Sequence, residues 1–408
     1  MTRRITLTTA LALTFVLSLQ AQVKPGIDVL AGQGFECLAG KRVGLVTNPT
    51  GVNSRLESTI DVLHRHVNLV ALFGPEHGVR GDVTAGGHVE DMVDEKTGLP
   101  VYSLYGSQRK PDARHLEDLD VLVYDIQDIG VRSYTYISTM GLVMEAAAEA
   151  DLEVVILDRP NPLGGHKVEG SLVEEGYFSF VSPYPIPYIY GLTCGELALL
   201  LNQEGMLGGG VPCRLHVVPM EGWSRDMMFE DTGLPWVPTS PHIPYASTAF
   251  LYPATGIVGE LDAGMIGIGY TLPFQVLVTE HIDAAKLAEA MNALRLPGVA
   301  FRPIHIKPYY SSRKGASMQG VQIHLTDPRE AVLTEIQFYF LQEAHRLDPG
   351  FNPLLEHEGR HASFDRVCGS AKLRESIMAD LDFSRAREYW RSSAETFRKH
   401  SRKYQLYD

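Results

Sequence analysis

Residues 69–82 read Leu-Val-Ala-Leu-Phe-Gly-Pro-Glu-His-Gly-Val-Arg-Gly-Asp, and the fold expected for the chain follows from this stretch. The apolar run over residues 69–73 is typical of a strand that is buried on both faces of a parallel sheet. A Gly-Pro pair ends the strand, and the turn after it contains Glu76, His77 and Arg80. Because ligands of open α/β sheets bind beyond the carboxyl ends of the strands, these three side chains are candidates for a functional site.

Three further strand candidates end in polar turns of the same kind. Apolar runs cover residues 41–46, 119–124 and 153–157, and helix candidates cover residues 58–66 and 141–150. This alternation predicts right-handed crossovers and a parallel sheet, hence an α/β fold. The carboxyl ends of the four strands should then bring these polar residues to one rim: Asn48, Glu76, His77, Asp125, Asp128, Asp158, Arg159 and Asn161.

The first 22 residues have the pattern of a signal peptide. Two arginines precede an apolar run over residues 5–19, and Ala21 offers a small residue at the cleavage point. We therefore expect a periplasmic or secreted protein that does not insert into a membrane after cleavage. The net charge of −13 argues against nucleic acid and anionic membrane surfaces as partners. The four cysteines are scattered without a C-x-x-C pair, so a disulfide remains open and a metal cluster is not expected.

The length of the chain predicts two domains after the signal peptide. A loop-rich passage over residues 164–187 places the division between residues 23–175 and residues 176–408. In the second part, a proline-rich loop over residues 232–244 contains Trp236 and His242. Trp236 could stack on a ligand ring or fill the interface between the domains.

Several motifs of cofactor-dependent and metal-dependent enzymes are missing from the sequence. There is no G-x-G-x-x-G after the first strand, no P-loop, no G-x-S-x-G and no H-E-x-x-H. The sequence therefore predicts neither a cofactor nor a catalytic metal.

What remains is a site built on carboxylates. Glu76 is the candidate general acid, because a partly desolvated carboxyl has a raised pKa. Asp125, Asp128, Asp158 or Glu169 could supply a second carboxylate, and two acids across a sugar ring would hydrolyse a glycoside. For Asp125 or Asp158 taken alone, the pattern favours a structural role instead, in which the carboxylate orients Arg132 or binds backbone amides.

Several linked motifs resemble those of the bacterial exo-β-N-acetylmuramidases, a glycoside hydrolase family formerly classed as a domain of unknown function. They are Gly-Leu-Val-Thr-Asn-Pro-Thr-Gly (44–51), Gly-Pro-Glu-His-Gly-Val-Arg-Gly-Asp (74–82), Thr-Gly-Leu-Pro-Val-Tyr-Ser-Leu-Tyr-Gly (97–106), Val-Tyr-Asp-Ile-Gln-Asp-Ile-Gly-Val-Arg (123–132), Leu-Asp-Arg-Pro-Asn-Pro (157–162), Val-Glu-Gly (168–170) and Thr-Gly-Leu-Pro-Trp-Val-Pro (232–238). The resemblance implies a Rossmann-like N-terminal domain, a smaller C-terminal α/β domain and an active cleft between them. It also implies release of terminal N-acetylmuramic acid from peptidoglycan fragments without a cofactor.

The resemblance assigns a catalytic role to Glu76 and leaves the second acid open between Asp125 and Glu169. The residues expected to bind substrate are Asn48, His77, Arg80, Asp128, Arg132, Tyr134, Asp158, Arg159, Asn161, Trp236 and His242. Arg80 and Arg132 are the candidates for holding the lactyl carboxylate of the sugar, since guanidinium binds carboxylate in bidentate fashion. Internal ion pairs with Asp82 or Asp128 are the alternative role for these arginines.

The chain departs from the family pattern at Ala263, Ile266 and Ile268, where the family has an asparagine, a glutamate and an arginine. An apolar wall in place of a charged pair would change which ligands the site accepts. The sequence therefore keeps a second hypothesis open, a sugar-binding protein on the same scaffold that is non-catalytic or altered in specificity.

Overall fold

The structure, a computed structural model, describes residues 22–76, 78–81 and 92–408. The expected signal peptide, apart from residue 22, and the site residue His77 lie outside the described residues. Seven strands form the sheet of the N-terminal domain: β1 Arg42–Thr47, β2 Asn68–Gly74, β3 Met92–Val93, β4 Pro100–Ser103, β5 Val121–Asp125, β6 Glu153–Leu157 and β7 Arg214–Val218.

The sheet has the strand order β3-β4-β2-β1-β5-β6-β7. All neighbouring strands are parallel except β3, which runs antiparallel to β4. The six parallel strands thus have the doubly wound Rossmann order, with the reversal between β1 and β5. Thr47 pairs with Asp125 at that reversal, so the polar turns after β1 and β5 are neighbours.

Both faces of this sheet are covered, which explains why its strands are apolar on both sides. The helices of the N-terminal domain are α1 Gly26–Gly32, α2 Thr59–His66, α3 Tyr136–Glu149 and α4 Cys194–Gln203. Val43 and Leu45 pack with α1 and α2 on one face, while Val46 packs with α3 and α4 on the other. Thr193 caps α4 through a capping box with Glu196.

The C-terminal domain is built on a small antiparallel sheet of order β8-β10-β9. Its strands are β8 Val276–Thr279, β9 Val299–Ile306 and β10 Met318–Leu325. Its helices are α5 Ala246–Gly259, α6 Ala284–Ala293, α7 Ile336–Leu347, α8 Pro353–Glu356, α9 His361–Cys368, α10 Lys372–Ile377, α11 Ser384–Arg391 and α12 Ala394–Ser401. Most of these helices pack around one apolar core, which includes Trp390 and Phe338.

The expected division at residues 175/176 falls too early in the chain. β7 comes from residues 214–218 and pairs in parallel with β6, so the N-terminal sheet needs residues well beyond 175. Helix α3 also begins five residues before the expected helix start at residue 141. This earlier start places residues 133–136 at the N-terminus of a helix, at the carboxyl edge of the sheet. Within the described part of the chain, no helix is both long and apolar enough to span a membrane.

Candidate active site

A small cavity between the two domains holds Glu76, the first residue of the predicted site. Its volume is about 190 Å³. Its walls are formed by Glu76, Ser133, Tyr134, Thr135, Tyr136, Ser240, His242, Ile243, Tyr252 and Phe274. We call it the Glu76 cavity. The turn after β2, the start of α3, the loop before α5 and the C-terminal domain all contribute to it, so it lies where the family resemblance implies an active cleft.

Glu76 lies among tyrosine hydroxyls. It shares a hydrogen bond with the Tyr105 side chain. The pKa of Tyr105 is raised, mainly by burial and further by the charge of Glu76 and by this hydrogen bond. Burial is also the main cause of the raised pKa values of Tyr136 and Tyr252, to which the Glu76 charge adds. The cavity therefore combines one carboxyl with neutral hydroxyl groups, which suits a ligand rich in hydroxyls.

The aromatic wall of the cavity is held across the domain boundary. The Tyr134 hydroxyl donates to Thr239 Oγ1 at 2.7 Å, and the Tyr136 hydroxyl donates to the Thr239 carbonyl at 2.6 Å. The hydroxyls of Ser133 and Tyr252 lie 3.1 Å apart, which joins the start of α3 to α5. Because these groups fix one another, the cavity is preformed rather than shaped by a ligand.

Two further predicted residues lie behind this wall. Asp128 is buried, and its charge raises the pKa values of Tyr134 and Tyr252. Burial raises the pKa of Asp128 itself to about 6, against the lowering effect of hydrogen bonds from Tyr190 and from backbone amides. Asp128 Oδ1 is buried and has no hydrogen-bond partner among the described groups. Asp128 and Asn48 are absent from the lining of the Glu76 cavity, but both interact with tyrosines of its wall.

Asp125, a predicted catalytic acid, does not face the cavity. It is completely buried and accepts hydrogen bonds from both Nε and Nη2 of Arg159, at 2.5 and 2.9 Å, and from the Thr59 hydroxyl. Arg159 also donates to the Val52 carbonyl at 2.8 Å. The pair joins the ends of β5 and β6 to the loop after β1, so both residues are structural.

Glu169, the other predicted second acid, lies in a different cavity. It accepts hydrogen bonds from the Thr334 amide at 2.9 Å and the Thr334 hydroxyl at 3.1 Å. This second cavity has a volume of about 460 Å³, and Trp390 and Arg391 line it as well. We call it the Glu169 cavity. Glu169 is absent from the lining of the Glu76 cavity, and its contacts attach the connecting loop to the C-terminal domain.

Neither arginine expected to hold the lactyl carboxylate is available for it. Arg132 is fully buried and donates to the carbonyls of Ser171, Ile186, Val367 and Cys368 and to the Ser182 hydroxyl. These bonds use all five N–H groups of its guanidinium. Arg80 forms a bidentate pair with Asp94 at 2.8 and 2.9 Å and also contacts Asp61. Both arginines therefore have structural partners among the described residues; those of Arg132 do not include Asp128, and Asp82 lies outside the described residues.

Asp158 and Asn161 are also tied into the scaffold. Asp158 accepts hydrogen bonds from the Thr193 hydroxyl at 2.7 Å, the Gly195 amide at 2.8 Å and the Tyr407 hydroxyl, and burial raises its pKa to about 6. Asn161 bonds to the Leu192 carbonyl and the Leu163 amide. These buried bonds stabilise the ends of β6 and α4, away from the cavity.

Trp236 fills the interface rather than the cavity. Its Nε1 donates to the Ile243 carbonyl at 3.2 Å, and its ring packs edge-on against Phe229 with centroids 4.7 Å apart. His242, by contrast, lines the Glu76 cavity as the sequence suggests. In the described part of the chain, no group of three His, Cys, Asp or Glu side chains could hold a metal ion.

The departures from the family pattern do not reach the cavity. Ile266 is buried against Gly259, and Ile268 packs against the core of the C-terminal domain. Ala263 lies near Asp262 and Arg313 at another surface. None of the three lines the Glu76 cavity, so the apolar wall expected there is part of a domain core.

The sequence alone missed most of the hydroxyl groups around Glu76. Tyr105 follows the end of β4 by two residues, and this position is a usable signal. Ser133, Thr135 and Tyr136 are near neighbours of Tyr134, a predicted site residue at the start of α3. Tyr252 lies in the middle of α5, in the other domain, and no pattern in the sequence points to it.

Comparison with known proteins gives matches along nearly the whole chain. Residues 43–247 match the family model described as exo-β-N-acetylmuramidase NamZ, N-terminal, and residues 250–407 match the corresponding C-terminal model. The peptidoglycan β-N-acetylmuramidase NamZ of Bacillus subtilis is 41% identical over 388 residues, covering 95% of this chain and 92% of the relative.

Two solved structures share the fold. A DUF1343 family protein from Bacteroides fragilis is 55% identical, with a TM-score of 0.91, and the match covers 95% of this chain and 99% of that protein. A second DUF1343 family protein from the same organism is 28% identical, with a TM-score of 0.74 and the same coverage. The two-domain α/β architecture is therefore shared with both proteins.

Proposed function

This chain belongs to the exo-β-N-acetylmuramidase family, and on that premise we propose that it releases terminal N-acetylmuramic acid from peptidoglycan fragments. The observation that supports this proposal is the position of Glu76, whose carboxyl lies in a preformed cavity between the domains among tyrosine hydroxyls. A cavity of about 190 Å³ accepts a single sugar ring, which suits the removal of one residue from a chain end.

In this function Glu76 donates a proton to the glycosidic oxygen as its bond to the anomeric carbon breaks, and water supplies the hydroxyl that this carbon gains. Proton transfer by a positioned side chain is the step that glycoside hydrolysis requires when the leaving group departs. The hydroxyls of Tyr134 and Tyr252, held by Thr239 and Ser133, bind the hydroxyl groups of the sugar. Asp125 and Glu169 have no part in the chemistry, because each is bound to structural partners away from the cavity.

Arg109 is the guanidinium that we propose for the lactyl carboxylate. It lies 4.3 Å above the Phe180 ring. Its charge partly offsets the rise in the pKa of Tyr105 that burial and Glu76 cause, so it lies near the tyrosine that bonds to Glu76. The N-terminus of α3, which has no side-chain cap, lies in the wall of the same cavity and also favours an anion. Arg109→Ala should reduce the preference for muramic over glucosamine substrates, while Arg80→Ala, the matched control, should keep it.

Hydrolysis of an aryl β-N-acetylmuraminide tests the function. The wild-type protein should release the phenol, and the aryl β-N-acetylglucosaminide, which lacks the lactyl group, should react far more slowly. Glu76→Gln should react at least about a hundredfold more slowly than wild type. Absence of turnover by the folded wild-type protein, or equal turnover by Glu76→Gln, would overturn the proposal.

We also propose that the protein acts outside the cytoplasm. The support is the basic and apolar pattern of residues 1–22 together with a substrate that belongs to the cell wall. Expression of the full chain should yield a mature form in the periplasm or medium that begins after Ala21. A form that keeps residues 1–22 and stays in the cytoplasm would contradict export.

A further inference from the structure

Three exposed tyrosines lie in chain segments that adjoin the wall of the Glu76 cavity. Tyr245, Tyr309 and Tyr310 keep 66%, 60% and 50% of their surface in solvent. The link to the cavity is His242, which lines it and whose Nε2 lies 3.0 Å from the Tyr310 hydroxyl. Tyr245 follows His242 by three residues, at the start of α5. A group of exposed aromatic side chains beside a site often indicates a binding surface, whereas single scattered ones usually do not.

The loop that presents Tyr309 and Tyr310 is held in place by its own backbone. The Tyr309 ring stacks on Tyr270 at 5.6 Å, and the Tyr309 amide donates to the Gly269 carbonyl at 2.7 Å. Gly269 has a φ of 97°, and a Cβ there would come within 2.3 Å of the Tyr310 carbonyl oxygen. Ser311 adopts a left-handed φ of 78°. The left-handed conformation of Ser311, a residue with a side chain, is a local strain of the kind that functional loops often contain.

We propose that Tyr245, Tyr309 and Tyr310 form a subsite for the sugar that follows the terminal residue in the glycan chain. This inference rests on the proposed function. An enzyme that removes the terminal residue must leave the rest of the chain outside the cavity, beside the adjoining segments that contain the three tyrosines. Pyranose rings present faces of C–H groups that pack on aromatic rings, while the tyrosine hydroxyls remain available to the sugar hydroxyls.

Comparison of a one-sugar substrate with a longer one tests the subsite. Wild type and Tyr309→Ala are assayed on the aryl β-N-acetylmuraminide and on a β-1,4-linked tetrasaccharide ending in N-acetylmuramic acid. Tyr309→Ala should lower the ratio of kcat/KM for the tetrasaccharide over the aryl glycoside about tenfold, mainly through a higher KM. Tyr309→Phe keeps the ring and should restore most of the ratio. Val211→Ala, an exposed apolar residue near the start of β7, is the matched control and should leave the ratio unchanged.

Binding separates this inference from the proposed function. Calorimetry with the Glu76→Gln variant, with and without Tyr309→Ala, measures the affinity for the tetrasaccharide and for an N-acetylmuramyl peptide that has no second sugar. Tighter binding of the tetrasaccharide that depends on Tyr309 supports the subsite even if the wild type hydrolyses neither substrate, which would remove the proposed function alone. An unchanged ratio and affinity in Tyr309→Ala, or a loss confined to the muramyl peptide, would overturn the subsite.

Discussion

The two cavities between the domains differ in what their charged groups do. The Glu169 cavity is more than twice as large as the Glu76 cavity, about 460 against 190 Å³, and has many more charged side chains around it. Several of those charges are paired with one another: Arg225 with Glu196, Arg391 with Glu335, and Lys167 with Glu169. The smaller cavity presents Glu76 among hydroxyl groups that are fixed but can still bind a sugar.

This difference is the reason for proposing the smaller cavity as the site, although it has less volume and fewer charged groups. Charged groups that are bound to one another inside a protein are less available to a ligand. A carboxyl surrounded by aligned neutral donors meets the needs of proton transfer and sugar binding. The functional assignment therefore follows from the partners of each group and not from the number of groups.

The largest expected effect separates the two glutamates. Glu76→Gln should lower kcat by about 10²–10⁴, because a positioned proton donor is lost. Glu169→Gln is the matched control, since its amide oxygen can still accept from Thr334, and it should change kcat less than about threefold. Steady-state kinetics on the aryl β-N-acetylmuraminide provide the measurement. The reverse pattern would transfer the chemistry to the Glu169 cavity.

A second test asks whether Asp125 and Arg159 are structural. Arg159→Ala leaves a completely buried carboxylate without its cation and should lower the free energy of unfolding by about 3–5 kcal/mol. Arg385→Ala breaks the exposed pair with Asp380 and should cost less than about 1 kcal/mol. Urea unfolding of both variants gives the comparison. Similar small losses in the two variants would mean that the buried pair does not hold the strand ends together.

The sequence predicts the fold, but not the hydrogen-bond partners of the candidate site residues. Apolar strands ending in polar turns predict a parallel sheet, and they make Glu76 a candidate at the carboxyl edge of that sheet. Asp125 and Asp128 are three residues apart in the same turn, yet Arg159, arriving from the next strand, binds only Asp125. The carboxylate with which an arginine pairs depends on the tertiary structure. A local sequence pattern does not contain that information.

Helix α5 shows the same limit in the second domain. Pro253 and Gly256 lower its helix propensity, and no helix was expected over residues 246–259. Burial of Phe250, Ile257 and their neighbours in the C-terminal core outweighs that propensity. Because the helix itself was missed, Tyr252 could not be assigned to the cavity from the sequence.

The pH dependence of stability tests the carboxylates behind the cavity. Burial raises the pKa values of Asp128 and Asp158 to about 6, above the value of about 3.9 for an unfolded aspartate. The native state then holds protons that the unfolded state releases, so the free energy of unfolding should fall by about 2–3 kcal/mol per group as pH rises from about 4 to 6.

Asp128→Asn removes one of these two groups. The variant should lose about half of the pH-dependent fall in the free energy of unfolding, because Asp158 still titrates. The exposed Asp118→Asn serves as the control and should keep the full slope. Chemical unfolding at several pH values between 4 and 7 measures how the free energy of unfolding depends on pH. If this dependence were the same in Asp128→Asn as in wild type, the raised pKa of Asp128 would be refuted.

The smallest expected effect concerns a hydroxyl of the cavity wall. Tyr252→Phe removes a hydroxyl that lies 3.1 Å from Ser133 and should lower kcat/KM about two- to tenfold, the range of one hydrogen bond. Tyr404→Phe removes a hydroxyl that bonds to Glu204 at the protein surface and should have no effect on kinetics. A larger loss in Tyr404→Phe would place the binding surface elsewhere.

A crystal structure of the Glu76→Gln variant with a muramic-acid-terminated disaccharide decides between the two cavities. We expect the terminal ring in the Glu76 cavity, with its glycosidic oxygen within hydrogen-bond distance of residue 76 and its hydroxyls beside Tyr134 and Tyr252. A terminal ring bound in the Glu169 cavity, against Trp390, would contradict the assignment of Glu76 as the catalytic residue.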